Sequence, residues 1–502
     1  AVSLAVADGR LFVSTDDGAI LCLASGALAA GGRTIKPSSV GPGYGAKIKA
    51  SAKTVLDMAK INRGWCLVAG ARDGSLAEYL AAETALNIVV VEHDARRLKA
   101  IRSRLVKSGL HGSRVIVLGA PYSDLPDYFA NLIVSERAML GEEVNLPVNE
   151  MARVLRPSGG QLVIGSIKDW PLASVNKIVN GLKANANAET KVRFADNHLH
   201  FTRGKLTGAG SWTGLYGNTA NTSSTPDTLV KGPLGVLWYG EPGSEDMVDR
   251  HARSTSPLAI NGRLFVQGME VVMGYDAYNG TFLWKRKIPG AVRVRVDVDG
   301  SNITATDDAI FVATHNRVLQ LDAQTGETIR EFLVPRKEGA KALRWGYIAV
   351  HGNLLIGTGA APLANEYGYL WNSLVKDGKW VDEKNAHKSA LATLKKAKGL
   401  HPQPDKRAYA YFQRTDQHWR PMIANPPGWL PDHNPSPVTD RIMTSEKVFA
   451  YDITTGKMLW EHEGKSIPNI SLVIGDGRIF FLKDDLDEKE RAQARATTAA
   501  NI

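Results

Sequence analysis

One stretch of this chain repeats, and the repeat limits what the chain can fold into. Asn261 to Trp284 reads Asn-Gly-Arg-Leu-Phe-Val-Gln-Gly-Met-Glu-Val-Val-Met-Gly-Tyr-Asp-Ala-Tyr-Asn-Gly-Thr-Phe-Leu-Trp. A tight Asn-Gly turn opens a short apolar strand and a second strand follows. Asp276-Ala-Tyr-Asn-Gly280 then turns the chain again, and Phe282-Leu-Trp284 is the next strand. The signature recurs as Asp308-Ala-Ile-Phe-Val-Ala with Leu321-Asp-Ala-Gln-Thr-Gly326, and as Asp452-Ile-Thr-Thr-Gly456-Lys-Met-Leu-Trp460. Its opening strand alone recurs at Asp8-Gly-Arg-Leu-Phe-Val13, Gly352-Asn-Leu-Leu-Ile356 and Asp476-Gly-Arg-Ile-Phe-Phe481. Asp276 and Asp322 are 46 residues apart, and Asp322 and Asp452 are 130 apart, one such period plus a long insertion. Short strands at a period of about 40 to 50 residues mark a β-propeller. One such sheet cannot bury both of its faces, so each copy needs neighbours.

The pattern Asp-x-x-Thr/Asn-Gly-x-x-x-Trp resembles the repeat of the pyrroloquinoline-quinone-type, quinoprotein-like propellers. In that family the Trp docks each blade against the next, which implies a packing role for Trp284 and Trp460. Arg330 stands in the Trp place of the middle copy, so that contact is left open. Trp212-Thr-Gly-Leu-Tyr-Gly-Asn-Thr-Ala-Asn is similar to the Trp-x-x-Tyr-Gly-x-x-x-x-Asn segment that opens several of these propellers.

A second rhythm interrupts the first. After a blade fragment at 1–26 and a Gly, Ser and Pro-rich linker at 27–44, strands alternate with helical stretches. Strands are expected at Trp65–Ala69, Asn87–Val91, Arg114–Leu118, Asn131–Val134 and Gln161–Ile164. Helices are expected at Ser75–Glu83, Asp94–Ser108, Val148–Leu155 and Ala173–Ala184, with a closing hairpin at 191–194 and 198–202. Strands separated by helices mean a parallel sheet with crossover helices, whose chemistry lies at the carboxyl ends of the strands. There the chain carries Gly70-Ala-Arg-Asp-Gly74 after the first strand and Glu92 after the second. That spacing suits a nucleotide-cradling turn and an acid that grips ribose hydroxyls, but the turn is not the Gly-x-Gly-x-x-Gly fingerprint.

With Leu155-Arg-Pro-Ser-Gly159-Gly160 before the fifth strand, these residues resemble a class I S-adenosylmethionine-dependent methyltransferase. The resemblance covers roughly Lys47 to Leu206 and implies a seven-stranded Rossmann-like α/β sheet. It also implies a cofactor site in which Gly70, Ala71, Arg72 and Gly74 cradle S-adenosylmethionine, Glu92 holds the ribose and Ala120 neighbours the adenine. Ser135 and Glu136, after the fourth strand, are placed for substrate contacts. The chain departs from the family in three places: Arg72 replaces the middle Gly of the turn, Val68 the acid that ends the first strand, and Ala120 the acid after the third. Arg72 either obstructs the methionine end of the cofactor or swings outward. Methyl transfer depends mostly on positioning, so no catalytic base need be visible.

The expected organisation is therefore multidomain: a blade fragment at 1–26, a linker at 27–44, the α/β domain at 45–206, a propeller at 207–484 and a helix or linker at 485–502. Within the propeller, an insertion at 360–445 holds a Lys-rich helix at His387–Lys398 and an aromatic stretch at Tyr409–Pro437, which suggest an ordered cap. Asn425-Pro-Pro-Gly-Trp429 resembles an amino-methylating motif only superficially and reads as a turn. His418, Asp432 and His433 have no compact metal spacing, so no metal is expected.

Composition narrows the functions. Residues 45–206 hold 23 Lys and Arg against 15 Asp and Glu, which accounts for most of the net charge of +10. Arg96, Arg97, Lys99, Arg102, Arg104 and Lys107 crowd one helix. Nucleic acid could be steered by such a helix, but no aromatic residues are interleaved, and a solvated face is the plainer reading. No apolar run is long enough to span a bilayer. Ala1 to Val6 lacks a basic region ahead of it and is cut short by Asp8-Gly9, so it does not read as a signal peptide. Both ends read as blades under way, as in an excerpt or processed form. Two cysteines, Cys22 and Cys66, give neither a disulfide scaffold nor a haem-attachment motif.

Three functions follow: a methyltransferase coupled to a propeller that binds substrate or partner, a non-catalytic propeller scaffold with a decayed methyltransferase fold, or a quinone-dependent dehydrogenase. The last lacks the adjacent cysteines often found in that family, so pyrroloquinoline quinone is not expected. An active methyltransferase implies the cytoplasm, where S-adenosylmethionine is made, whereas the propeller family's habit implies the periplasm or export.

Overall fold

The computed structural model describes residues 3–7, 9–15, 20–24, 44–184, 187–240, 246–247, 255–268, 270–289, 291, 302–314, 316–340, 343–360, 375–376, 379–380, 444–483, 489–490 and 493. Outside these residues lie nearly all of the 360–445 insertion, the linker up to residue 43 and most of the tail. With the insertion go the expected helix at His387–Lys398, the Asn425–Trp429 turn, and His418, Asp432 and His433.

The chain opens with three antiparallel strands, β1 (Ser3–Ala7), β2 (Arg10–Ser14) and β3 (Ile20–Ala24). It then changes to the α/β domain, with strands β4 (Arg63–Ala69), β5 (Ala85–Val91), β6 (Val115–Leu118), β7 (Leu132–Val134), β8 (Gln161–Ile164), β9 (Lys191–Ala195) and β10 (His198–Thr202). The helices are α1 (Ala46–Ala59), α2 (Ser75–Glu83), α3 (Ala95–Lys107), α4 (Glu136–Met139), α5 (Val148–Val154) and α6 (Leu172–Lys183). One seven-stranded sheet results, in the order β6-β5-β4-β7-β8-β10-β9. The strands β6 to β8 are parallel, and β10 runs antiparallel to both β8 and β9. This is the methyltransferase-like sheet.

Both faces of the sheet are covered, so its central strands are continuous apolar runs rather than alternating ones. Cys66, Val68, Ile88 and Val90 face one layer with Val55, Leu80, Ile101 and Leu105, while Leu67, Val89, Ile133 and Leu162 face the other with Met151 and Ile178. Helix α1 carries only a weak sequence signal: its buried Ile48, Ala52, Val55 and Ala59 recur every three or four residues, but two of the four are alanines. Helix α3 is capped by Asp94, whose carboxylate accepts from the Arg96 and Arg97 amides. Three of the six cations of α3 have partners within the domain: Arg97 pairs with Glu92, Arg104 with Glu78, and Arg102 donates to the Val117 carbonyl.

Three complete four-stranded antiparallel blades follow. The first is β11 (Leu258–Ile260), β12 (Arg263–Gly268), β13 (Val271–Asp276) and β14 (Phe282–Lys287). The second is β15 (Ile303–Ala305), β16 (Ala309–Thr314), β17 (Arg317–Asp322) and β18 (Thr328–Leu333). In the third, β19 (Arg344–His351) and β20 (Leu354–Ala360) are separated from β23 (Thr444–Asp452) and β24 (Met458–Pro468) by a stretch that includes the hairpin β21 (Val375–Lys376) and β22 (Lys379–Trp380). A two-stranded piece, β25 (Val473–Gly475) and β26 (Arg478–Phe480), comes last. The 212–221 segment ties these sheets together. Trp212 exchanges backbone bonds with Ala259, the Thr213 carbonyl accepts from Ala305, and the Thr219 carbonyl accepts from Ile474.

The repeat turn is the blade-to-blade contact. Trp284 Nε1 donates to the Ala323 carbonyl of the next blade's turn at 3.1 Å, and its indole lies against Gly326, where a Cβ would fall 2.6 Å from the ring. Gly326 also has φ of +73°, so both its conformation and its contact exclude a side chain. Trp238 repeats the arrangement one blade earlier, donating to the Ala277 carbonyl at 2.8 Å and covering Gly280. Arg330 keeps the same contact without an indole. Its guanidinium covers Gly456 and donates to the Thr455 and Thr454 carbonyls at 3.0 and 2.8 Å, so the blade contact left open by the sequence is made.

The first blade also docks the α/β domain. In the other two blades the turn acid serves its own turn: Asp322 accepts from the Gln324 and Thr325 amides, and Asp452 from those of Thr454 and Thr455. Asp276 accepts from the Tyr278 amide in the same way, but its second oxygen takes Asn131 Nδ2 at 3.0 Å and the Arg156 guanidinium, and the residue is only 2 % exposed. Around this pair, Asn279 donates to the Phe129 carbonyl, Arg156 to the Gly262 carbonyl and Arg63 to the Leu283 carbonyl. Tyr128 and Tyr278 meet edge to face at 5.6 Å. Asp276→Ala strips a buried cation of its partner and is expected to cost about 3 to 5 kcal/mol in chemical denaturation. Asp322→Ala, at a solvent-accessible turn, is expected to change stability far less, and equal losses for the two would refute the special role of Asp276. Arg330→Trp is expected to preserve the melting temperature, while Arg330→Ala lowers it.

Candidate cofactor site

The turn after β4 has the shape of a ligand cradle. Gly70 and Gly74 have φ of +73° and +85°, and a Cβ on Gly74 would meet Ile101 at 2.9 Å, so Gly is required where the loop crosses α3. Between them the backbone N–H groups of Arg72, Asp73 and Gly74 converge and lead into the first turn of α2. Such a convergence of amides binds anions. Here the chain supplies the anion. Glu136 Oε2 accepts from those three amides at 2.7, 3.2 and 3.0 Å, and Oε1 accepts from Ser75 Oγ and the Leu76 amide, both at 2.9 Å.

Glu136 is fully buried, as is Ser135, which caps α4 by accepting from Ala138. For Glu136 to touch a substrate, five hydrogen bonds would have to open. Its five bonds fix the shape of the loop. Arg72 contributes only its amide to this nest; its half-exposed side chain pairs with Glu142 at 3.3 Å. Ala71 is buried beneath the loop.

Glu92 follows β5 and is buried. Its Oε1 accepts from the Asp94 amide at 2.8 Å and from Arg97 at 3.1 Å. The partnership with the Glu92 carboxylate holds the Arg97 guanidinium above its ordinary pKa, so Arg97 stays charged and competes with any diol for the carboxylate. Ala120 is half-buried at the end of β6. Two residues on, Tyr122 packs edge to face on His93 with ring centroids 5.5 Å apart, and its hydroxyl meets the Gly70 backbone. Burial pushes its phenol up to about 12. Tyr122 thus bridges the Gly70 turn and the end of β5, a role the sequence hid because Tyr after a third strand is an ordinary residue. The partnership of Arg97 with Glu92 was hidden too, because Arg97 read as one of six helix cations.

These groups fit the nucleoside half of S-adenosylmethionine: a carboxylate to accept from a diol, a glycine turn for close approach and an aromatic ring beside both. They do not fit the amino-acid half equally well. The end of β4 offers buried Val68 instead of an acid, and the loop amides already serve Glu136.

The site and the docked blade lie at opposite edges of the sheet. Gly70, Glu92, Ala120 and Ser135 follow the carboxyl ends of β4 to β7, whereas Arg63 opens β4 and Asn131 and Arg156 precede the amino ends of β7 and β8. Seven residues of β4 separate those edges, roughly 20 Å at the rise of an extended strand.

The chain therefore combines a methyltransferase-like α/β domain with pyrroloquinoline-quinone-like propeller repeats. The repeat family described as outer membrane protein assembly factor BamB matches residues 235–390. Among solved structures, a putative S-adenosyl-L-methionine-dependent methyltransferase of Methanococcus maripaludis is similar at 17% identity, covering 32% of this chain and 88% of that one, with a TM-score of 0.27. An S-adenosylmethionine-dependent O-methyltransferase of Thermotoga maritima is similar at 12% identity, covering 39% and 94%, with a TM-score of 0.26. Quinohemoprotein alcohol dehydrogenase of Comamonas testosteroni is similar at 15% identity over 57% of this chain and 30% of its own length, with a TM-score of 0.27. No curated protein matches the chain.

Glu136→Ala would leave four loop amides without an acceptor and is expected to destabilise the α/β domain by about 3 kcal/mol or more in chemical denaturation. Glu142→Ala, which only frees exposed Arg72 and Arg137, is expected to cost at most about 1 kcal/mol. Native-like stability in Glu136→Ala would refute the clamp.

Proposed function

We propose that the α/β domain binds an S-adenosyl nucleoside in the Gly70–Glu92 notch, as a methyltransferase-like module carried by a propeller that binds a partner of its own. The observation that carries this reading is the loop itself: Glu136 holds it in shape, and Gly70 and Gly74 take the left-handed conformations that let a ligand approach the backbone. When bound, S-adenosylmethionine supplies an electrophilic methyl group. The chain's part is to hold the ribose through Glu92, to let the cofactor approach the backbone at Gly70 and to flank the base near Ala120 with Tyr122. The propeller docks at the far edge of the sheet, so among the described residues no blade lines the notch. This supports separate binding surfaces for cofactor and partner. The matched repeat family's description as an assembly factor supports a protein partner.

A scaffold that has lost cofactor binding is the second reading, favoured by the Arg97–Glu92 pair and by Val68 where an acid would meet the cofactor's ammonium. Calorimetric titration of the full chain with S-adenosylhomocysteine separates the two. Binding is expected, weakened at least about tenfold by Glu92→Ala, the loss of one charged hydrogen-bonding partner. Arg97→Ala, which frees the carboxylate, is expected to tighten it. An absence of heat at millimolar ligand in both the native chain and Arg97→Ala would establish the scaffold.

A further inference from the structure

Among the described residues, the sheet β1–β2–β3 is a blade that lacks one strand. Arg10 follows Asp8-Gly9 in sequence and pairs with Ala24, just as Arg263 follows Asn261-Gly262 and pairs with Asp276. By this register β1, β2 and β3 occupy the places of β11, β12 and β13. In each complete blade a fourth strand pairs with the third, and its docking side chain faces the residue two before the turn acid. Trp284 faces Gly274, Arg330 faces Gln320 and Trp460 faces Ala450. The corresponding place in β3 is Cys22.

A candidate for the absent strand lies on the far side of the α/β domain. Leu234-Gly-Val-Leu-Trp238-Tyr239 parallels Gly280-Thr-Phe-Leu-Trp284-Lys285. Trp238 already seats on the first blade's turn as Trp284 seats on the second's. Yet residues 234–239 join no ladder among the described residues, and Leu234, Val236 and Tyr239 are 77, 80 and 93 % exposed. The sheet has the matching deficit: among the described residues β3 is an edge strand, and Ile20, Leu21 and Leu23 are exposed. Unpaired backbone edges and apolar side chains of this kind seek a strand to pair with.

We propose that residues 234–240 form the fourth strand of the blade begun by β1–β3, lying antiparallel to β3 with Trp238 opposite Cys22. The α/β domain is then an insertion between the third and fourth strands of a single blade. It leaves and rejoins the propeller at adjacent strands, beside the blade whose Asp276 turn docks it. Both the covalent tethers and the docking surface thus act at the same place on the ring.

In this register Leu21 faces Tyr239. The full-length chain carrying Leu21→Cys and Tyr239→Cys, with Cys22→Ser to remove the exposed thiol, is expected to form a disulfide within one molecule under mild oxidation. Directly opposed strand residues meet the Cα separation that a disulfide needs. Leu4→Cys with Tyr239→Cys, which places the thiol on the distant strand β1, is expected to form none. Hydrogen exchange on the unsubstituted chain supplies a check that no substitution disturbs: the amides of 20–24 and 236–240 are expected to be protected together. A disulfide linking two copies would assign the fourth strand to a second molecule and overturn the proposal. Free exchange at both segments together with no disulfide would overturn it as well.

Discussion

A four-stranded sheet with two apolar faces is stable only between neighbours, and the structure meets that requirement through one small contact made repeatedly. A side chain on the outer strand of one blade covers a glycine in the turn of the next and donates to that turn's carbonyls. Trp and Arg both serve because each is a flat group with an N–H at its edge. The indole brings area and one donor, and the guanidinium less area but several donors. The spacing between turn acid and glycine is the more restrictive part of the signature, because the glycine must take a left-handed conformation and leave room for the covering group.

The same turn, used once more, joins two unlike folds. Asp276 keeps the bond to its own turn that Asp322 and Asp452 also keep, and offers its remaining oxygen to Asn131 and Arg156. A carboxylate at that depth is tolerated because a guanidinium and an amide satisfy it, and its burial makes the junction costly to open. The domain is thereby held by the amino edge of its sheet, and the carboxyl edge, where a Rossmann-like sheet binds ligands, stays clear of the blade.

At that free edge the chain has settled its own electrostatics. Glu136 supplies the negative charge for which the Arg72–Gly74 amides are arranged, and Arg97 supplies the positive charge nearest Glu92. Preorganisation of the loop lowers the ordering cost of binding, while the Arg97 pair raises the cost of engaging a diol.

Alternation of strand and helix, the apolar runs of β4 and β5, the caps of α3 and the Asp-to-Gly period of the blades are local patterns, and they determined the two folds from the chain alone. Gly70, Gly74 and Glu92 were legible for the same reason: backbone freedom at a turn and an acid at a strand end show in a few consecutive residues. The clamp by Glu136, the bridge by Tyr122, the stand-in of Arg330 for Trp and the recruitment of Asp276 were decided only in three dimensions. Each joins residues between about 50 and 150 positions apart, Arg330 and Thr454 among them. A charged side chain carries no mark in sequence of whether it will meet water or a buried partner; that depends on which segments the folded chain brings against it.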